Sequence, residues 1–172
     1  MKLVLRALSL AVAITSLSTA TTAFSQTLAE RYPGDVGIAS DPAVVFAESF
    51  EEATLNEVFL RWSDVSNGAG MSFDADTPAL SSGMQSLRMT SELGANNGGH
   101  LYISFPAGHD LLYARFYVKF SNNCQPIHHF VHMGGYNPPT QWPQGGAGIR
   151  PDGTDRLTTG IEPFGASWGW DF

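Results

Sequence analysis

Cysteine is almost absent: Cys124 is the only one in 172 residues. A lone thiol forbids an internal disulfide, so the core and its hydrogen bonds must hold the fold. Basic residues are also few, nine Lys and Arg against sixteen Asp and Glu, for a formal charge of −7. That balance excludes nucleic acid or anionic membranes as partners held by bulk charge. Long apolar runs are missing. The one mostly apolar run, "ALSLAVAI" at residues 7–14, is too short to span a bilayer, so no membrane anchor is expected. Amphipathic helical spacing, internal repeats and low-complexity tracts are missing too. So is a Glu-x-Asp-x-Glu strand, the paired acids that retaining glycoside hydrolysis requires at close spacing.

What is present begins with a three-part N-terminus. Lys2 and Arg6 precede the apolar run, and Ala23-Phe24-Ser25 places small residues two apart before Gln26. This is the pattern of a secretory signal peptide over 1–25, which predicts a secreted or periplasmic protein. Two cations and no acid leave with that segment, so the formal charge moves to −9. Cys124 lies far from the cleavage point, which excludes a lipidated cysteine at the mature N-terminus. Residues 26–42, with Tyr32-Pro33-Gly34-Asp35, read as a polar lead-in, and 43–172 as the folded domain.

In that domain the apolar period is two. "VVFAESF" (44–50), "GMSFD" (70–74), "SLRMTS" (86–91) and "HLYISF" (100–105) are short β-rich runs separated by Gly, Asn, Asp, Ser and Pro. Such punctuation predicts an all-β sandwich or barrel. Residues 51–58, "EEATLNEV", could form one helical turn. The clearest strand is "DLLYARFYVKF", 110–120. Leu112, Ala114, Phe116, Val118 and Phe120 share one face, predicted buried; Tyr113, Arg115, Tyr117 and Lys119 share the other, predicted wet.

"IHHFVHM", 127–133, reads as the next strand, with His128, Phe130 and His132 on one face. His128 and His132 would then stand about 13 Å apart, too far to share an ion, so no metal and no cofactor is expected. His129 falls on the other face and is expected in the core with Ile127, Val131 and Met133. If the two strands pair with their polar sides together, Tyr113, Arg115, Tyr117 and Lys119 lie beside His128, Phe130 and His132.

The segment 134–156, "GGYNPPTQWPQGGAGIRPDGTDR", reads as a long loop opened by a Gly-Gly turn. Tyr136 and Trp142, stiffened by prolines, suit stacking on a sugar ring; Trp142 could equally cover the core edge. Asp152-Gly153-Thr154-Asp155 lacks the ligand count of a calcium loop. The chain stops in the strand-like "ASWGWDF", so the sandwich is expected to be incomplete at its C-terminus.

On "VVFAESFE", "GMQSLRMT" and "LYARFYVKF" the chain resembles the concanavalin A-like jelly-roll superfamily, and within it the jelly-roll polysaccharide lyases. The resemblance covers roughly residues 44–135 and implies an antiparallel jelly-roll β-sandwich and a polysaccharide or glycan partner. It implies β-elimination on a uronate polymer. The alginate-lyase elements are matched only in part: Thr90 stands where Arg precedes Glu92-Leu93, Gln125 and His128 are one residue too far apart, and Tyr136 follows too soon. Arg115 or Lys119 would neutralise the uronate carboxylate, and Tyr113, Tyr117, His128 or His132 would move the proton. Phe130, Tyr136 and Trp142 would bind the chain of sugars. Two other classes remain open: a non-catalytic lectin or laminin-G type binding module, and a structural envelope sandwich. An exposed Tyr/Arg/Lys strand face also suits plain solubility.

Overall fold

The computed structural model describes residues 26–96, 98–125, 127, 129–139, 149–150, 152–164 and 167–171. Two units divide the chain, one of residues 26–51 with Ala75–Ser86, the other of Glu52–Asp74 with residues 87–171.

In the first unit Thr27 and Glu30 form a capping box. Glu30 accepts from the Thr27 N–H at 2.8 Å, and the Thr27 hydroxyl accepts from the Glu30 N–H at 3.3 Å. They hold the single turn α1, Leu28–Arg31. Short 3-10 turns, Pro33–Asp35 and Ile38–Ser40, lead to Asp41, whose side chain is buried. Its carboxylate accepts from the Ala43 N–H at 2.9 Å and the Tyr32 hydroxyl at 3.0 Å, and pairs with Arg31 at 2.7 Å. The Ala43 N–H holds this carboxyl below its ordinary range, against burial and with help from Tyr32 and Arg31. The polar lead-in is thus wound around one buried acid.

The expected strand at 44–50 does not form a ladder. Glu48 accepts the Phe50 N–H at 2.8 Å, and Phe50 takes a φ of 60°, which turns the backbone out of the extended region.

In the second unit Thr54 and Glu57 repeat the capping box and hold α2, Leu55–Phe59, the turn expected within 51–58. α2 lies against β2 and sends Val58 inward, fully buried. Among the described residues Val58 and Met71 are the buried apolar side chains. The short strands are β1 (Asp64–Ser66), β2 (Met71–Asp74), β3 (Ser86–Met89) and β4 (His100–Tyr102). β1 pairs antiparallel with β4, Val65 opposite Leu101, and β2 pairs with β3. β2, β3 and β4 stand where the period-two runs placed them.

The third sheet is the largest. β5 (Val131–Tyr136), β6 (Arg156–Phe164) and β7 (Ser167–Asp171) run antiparallel in chain order, with Val131 opposite Ile161, His132 opposite Gly160 and Tyr136 opposite Arg156. The architecture is all-β, in small antiparallel sheets with few helical turns. Among the described residues no helix is long and apolar enough to cross a membrane.

Two expectations about strands are corrected. Residues 112–120 are neither helix nor ladder-paired strand. Tyr113, Arg115, Tyr117 and Lys119 are exposed as expected, but Phe116 and Val118 are 41% and 49% exposed. Alternation marks a segment that can be half buried; only a partner strand and a second layer make it so. The Gly134-Gly135 pair, read as a turn, lies inside β5 instead. A Cβ on Gly134 would run into the Leu157 carbonyl oxygen and the Thr158 Cα, so the two backbones close up because residue 134 is glycine.

Candidate functional site

β5 and β6 assemble a cluster that the sequence did not reveal. His132 is the second residue of β5 and stands opposite Gly160 of β6. Side chains two apart on a strand share a face, so Glu162 projects on the same side as Gly160 and His132. With no side chain at 160, the His132 ring lies over the strand, and its Nε2 reaches Glu162 Oε1 at 2.6 Å. His129 precedes β5, so the alternation of the strand does not govern it, and it turns back to place Nδ1 on the same Glu162 oxygen.

One carboxylate oxygen therefore meets two imidazole nitrogens, and the two rings stand edge to face with centroids 5.5 Å apart. Glu162 and His132 are each 19% exposed, while His129 is 62% exposed. Burial pushes the Glu162 carboxyl up, but hydrogen bonds from His129 and His132 and the positive character of both rings outweigh it. The carboxyl is held below its ordinary range. His132 Nδ1 is buried and has no hydrogen-bond partner among the described residues. One ligand atom from each of His129, His132 and Glu162 falls within 4.8 Å of the others.

His129 is thus not a core histidine. The strand begins at Val131 and not at Ile127, so strand alternation does not reach residue 129 and cannot send it to the core. The separation too long for a shared ion is that between His128 and His132, and His128 lies outside the described residues. Glu162 is thirty residues from His132, and no local pattern links the two.

The other described candidates are not ligands of this cluster. Phe130 does not face the Tyr/Arg/Lys side of 112–120. Its ring packs edge-on against Phe116 at 5.9 Å and Phe120 at 5.4 Å. These ring contacts join the two segments through apolar side chains, and among the described residues no ladder pairs them. Tyr113, Arg115, Tyr117 and Lys119 consequently project from a segment anchored one residue away from His129. Tyr136 ends β5, about 13 Å along the strand from His132. Trp142 lies outside the described residues.

Elsewhere, His100 and Asp64 pair across β1 and β4 at 2.6 Å. Asp152 closes its own turn, accepting from the Thr154 hydroxyl at 2.6 Å and the Thr154 N–H at 2.9 Å. These bonds hold its carboxyl below the ordinary range. No protein-family model, curated protein or solved structure matches the chain.

Proposed function

We propose that the protein works outside the cytoplasm on an acidic polysaccharide, and that β-elimination at a uronate unit is its reaction. The signal-like N-terminus supports export. The resemblance at 44–135 supports the substrate class, and with it a jelly-roll sandwich in which the small sheets are parts. The observation that carries the reading is the exposed row Tyr113, Arg115, Tyr117 and Lys119, on a segment pinned by Phe116 and Phe120 to Phe130, beside the His129–Glu162–His132 cluster.

The chemistry follows from those residue types. A cation from Arg115 or Lys119 pairs with the uronate carboxylate and makes the adjacent C–H more acidic. Tyr113 or Tyr117 takes that proton as the base, the electron pair becomes a carbon–carbon double bond, and the glycosidic C–O bond breaks. An acid of the same set, or water, protonates the leaving oxygen. Tyr113, 84% exposed, also offers an aromatic face to the sugar ring.

A panel of uronate polymers read by retention and by ultraviolet absorbance tests this. Wild type is expected to generate the absorbance of the new double bond on at least one polymer. Arg115→Ala should lower turnover or retention roughly 10-fold, since a charge-assisted hydrogen bond is worth about 1.5–3 kcal/mol. Molar salt should shrink that difference. Retention with no absorbance change would identify a binding module instead. Neither signal on any polymer would leave a structural sandwich.

A further inference from the structure

We propose that His129, His132 and Glu162 form a binding site for one divalent first-row transition-metal ion of the zinc class. The inference stands on these three side chains and does not rest on the polysaccharide reading.

The donor set is the first reason. Two imidazoles and one carboxylate are the ligands that borderline divalent ions select, and three protein ligands leave a further position for water or an anionic oxygen. The second reason is convergence. His132 Nε2 and His129 Nδ1 already point at one Glu162 oxygen, and the three ligand atoms lie within 4.8 Å of one another. A tetrahedral ion with bonds of about 2.0–2.1 Å holds its ligand atoms roughly 3.4 Å apart. The two nitrogens now touch the Glu162 oxygen directly, so admitting an ion asks these contacts to open by on the order of 1 Å, which the exposed His129 can supply by a change of rotamer.

Anchoring is the third reason. His132 and Glu162 sit on paired strands in fixed register, and the His132 ring is laid over Gly160. Its buried Nδ1 makes no hydrogen bond among the described residues, so the ring's one polar attachment is on the Glu162 side. Ligation requires the nitrogen facing Glu162 to carry its lone pair. The proton now shared there moves to the ring's other nitrogen or to solvent, and the ion takes its place against the carboxylate. An acidic chain with an exposed entry at His129 favours the approach of a cation.

The test uses the full chain, dialysed against a chelator and titrated with Zn2+ by calorimetry and with Co2+ by visible absorption. Wild type should bind one ion and give a cobalt d–d band. His129→Ala, His132→Ala and Glu162→Gln should each weaken binding more than about 10-fold, since loss of even an outer-shell partner costs roughly 10–100-fold. His129 is exposed, so His129→Ala keeps the fold and separates lost ligation from unfolding. Two controls address adventitious sites: His100→Ala, at the pair with Asp64, and Cys124→Ser, at the exposed thiol, should bind like wild type. Absence of wild-type binding would overturn the proposal. So would unchanged binding in His129→Ala, or loss of binding in Cys124→Ser.

Discussion

His132 stands directly across the β5–β6 ladder from Gly160, and the missing side chain at Gly160 is what lets the imidazole reach Glu162. A Cβ at 160 would lie 3.1 Å from both Cε1 and Nδ1 of His132, and 3.1 Å from the Val131 carbonyl oxygen. Those distances are tighter than ordinary van der Waals contact, so ring or backbone must yield.

Gly160→Val should therefore displace His132 from Glu162 while the ladder persists, because the ladder bonds are backbone bonds. The expected cost in stability is about 1–3 kcal/mol, as for other overpacked sites. Imidazole resonances of His132 should move, while slowly exchanging amides in β5 and β6 remain. Unmoved His132 resonances would show that residue 160 does not position the ring.

Glu162 gives a pH dependence with a definite sign. Its carboxyl is held below the ordinary range, so the unfolded chain binds the proton more readily than the folded one. The resulting stability is fully present above the unfolded value, about 4.3, and is lost as pH falls through the lower folded value. Asp41 and Asp152 are depressed as well, so acid will weaken the protein by several routes. The contribution of Glu162 is isolated by difference. Between about pH 6 and pH 3, Glu162→Gln should lose less melting temperature than wild type. Parallel curves would remove Glu162 from the acid response.

Local signals were legible and distant ones were not. β2, β3 and β4 fell in short β-rich runs bounded by turn residues, β7 in the strand-like "ASWGWDF", and most of α2 in 51–58. β6 carries no clear local signal, since Gly160 and Pro163 are residues that weaken or interrupt a strand pattern. Residues 112–120 show the opposite error: perfect alternation with no ladder. Alternation says which side chains share a face, and says nothing about whether a partner lies alongside. The cluster was invisible for the same reason. Glu162 meets His129 and His132 only once β5 and β6 have found their register, and no local pattern encodes that pairing.

The two glycines of β5 should respond differently to the same change. A Cβ on Gly134 meets backbone atoms of Leu157 and Thr158, whereas one on Gly135 meets nothing within 4 Å. Gly134→Ala should cost on the order of 1–3 kcal/mol through a forced backbone shift. Gly135→Ala should stay within about 0.5 kcal/mol. Chemical denaturation of the two variants decides it, and equal midpoints would refute the close approach of β5 to β6 at residue 134.

Val58 and His129 make the last contrast. Val58 is fully buried on α2, and truncating it removes two methyl groups and leaves a cavity that the short helix fills poorly. Val58→Ala should lower stability by about 2 kcal/mol. His129 is mostly exposed, and its contact with Glu162 is one that solvent partly screens. His129→Ala should cost under about 1 kcal/mol. A core histidine, by contrast, would cost as much as Val58 or more, because its removal would strand buried partners. Equal losses for the two variants in thermal unfolding would return His129 to the interior and break the cluster that both proposals use.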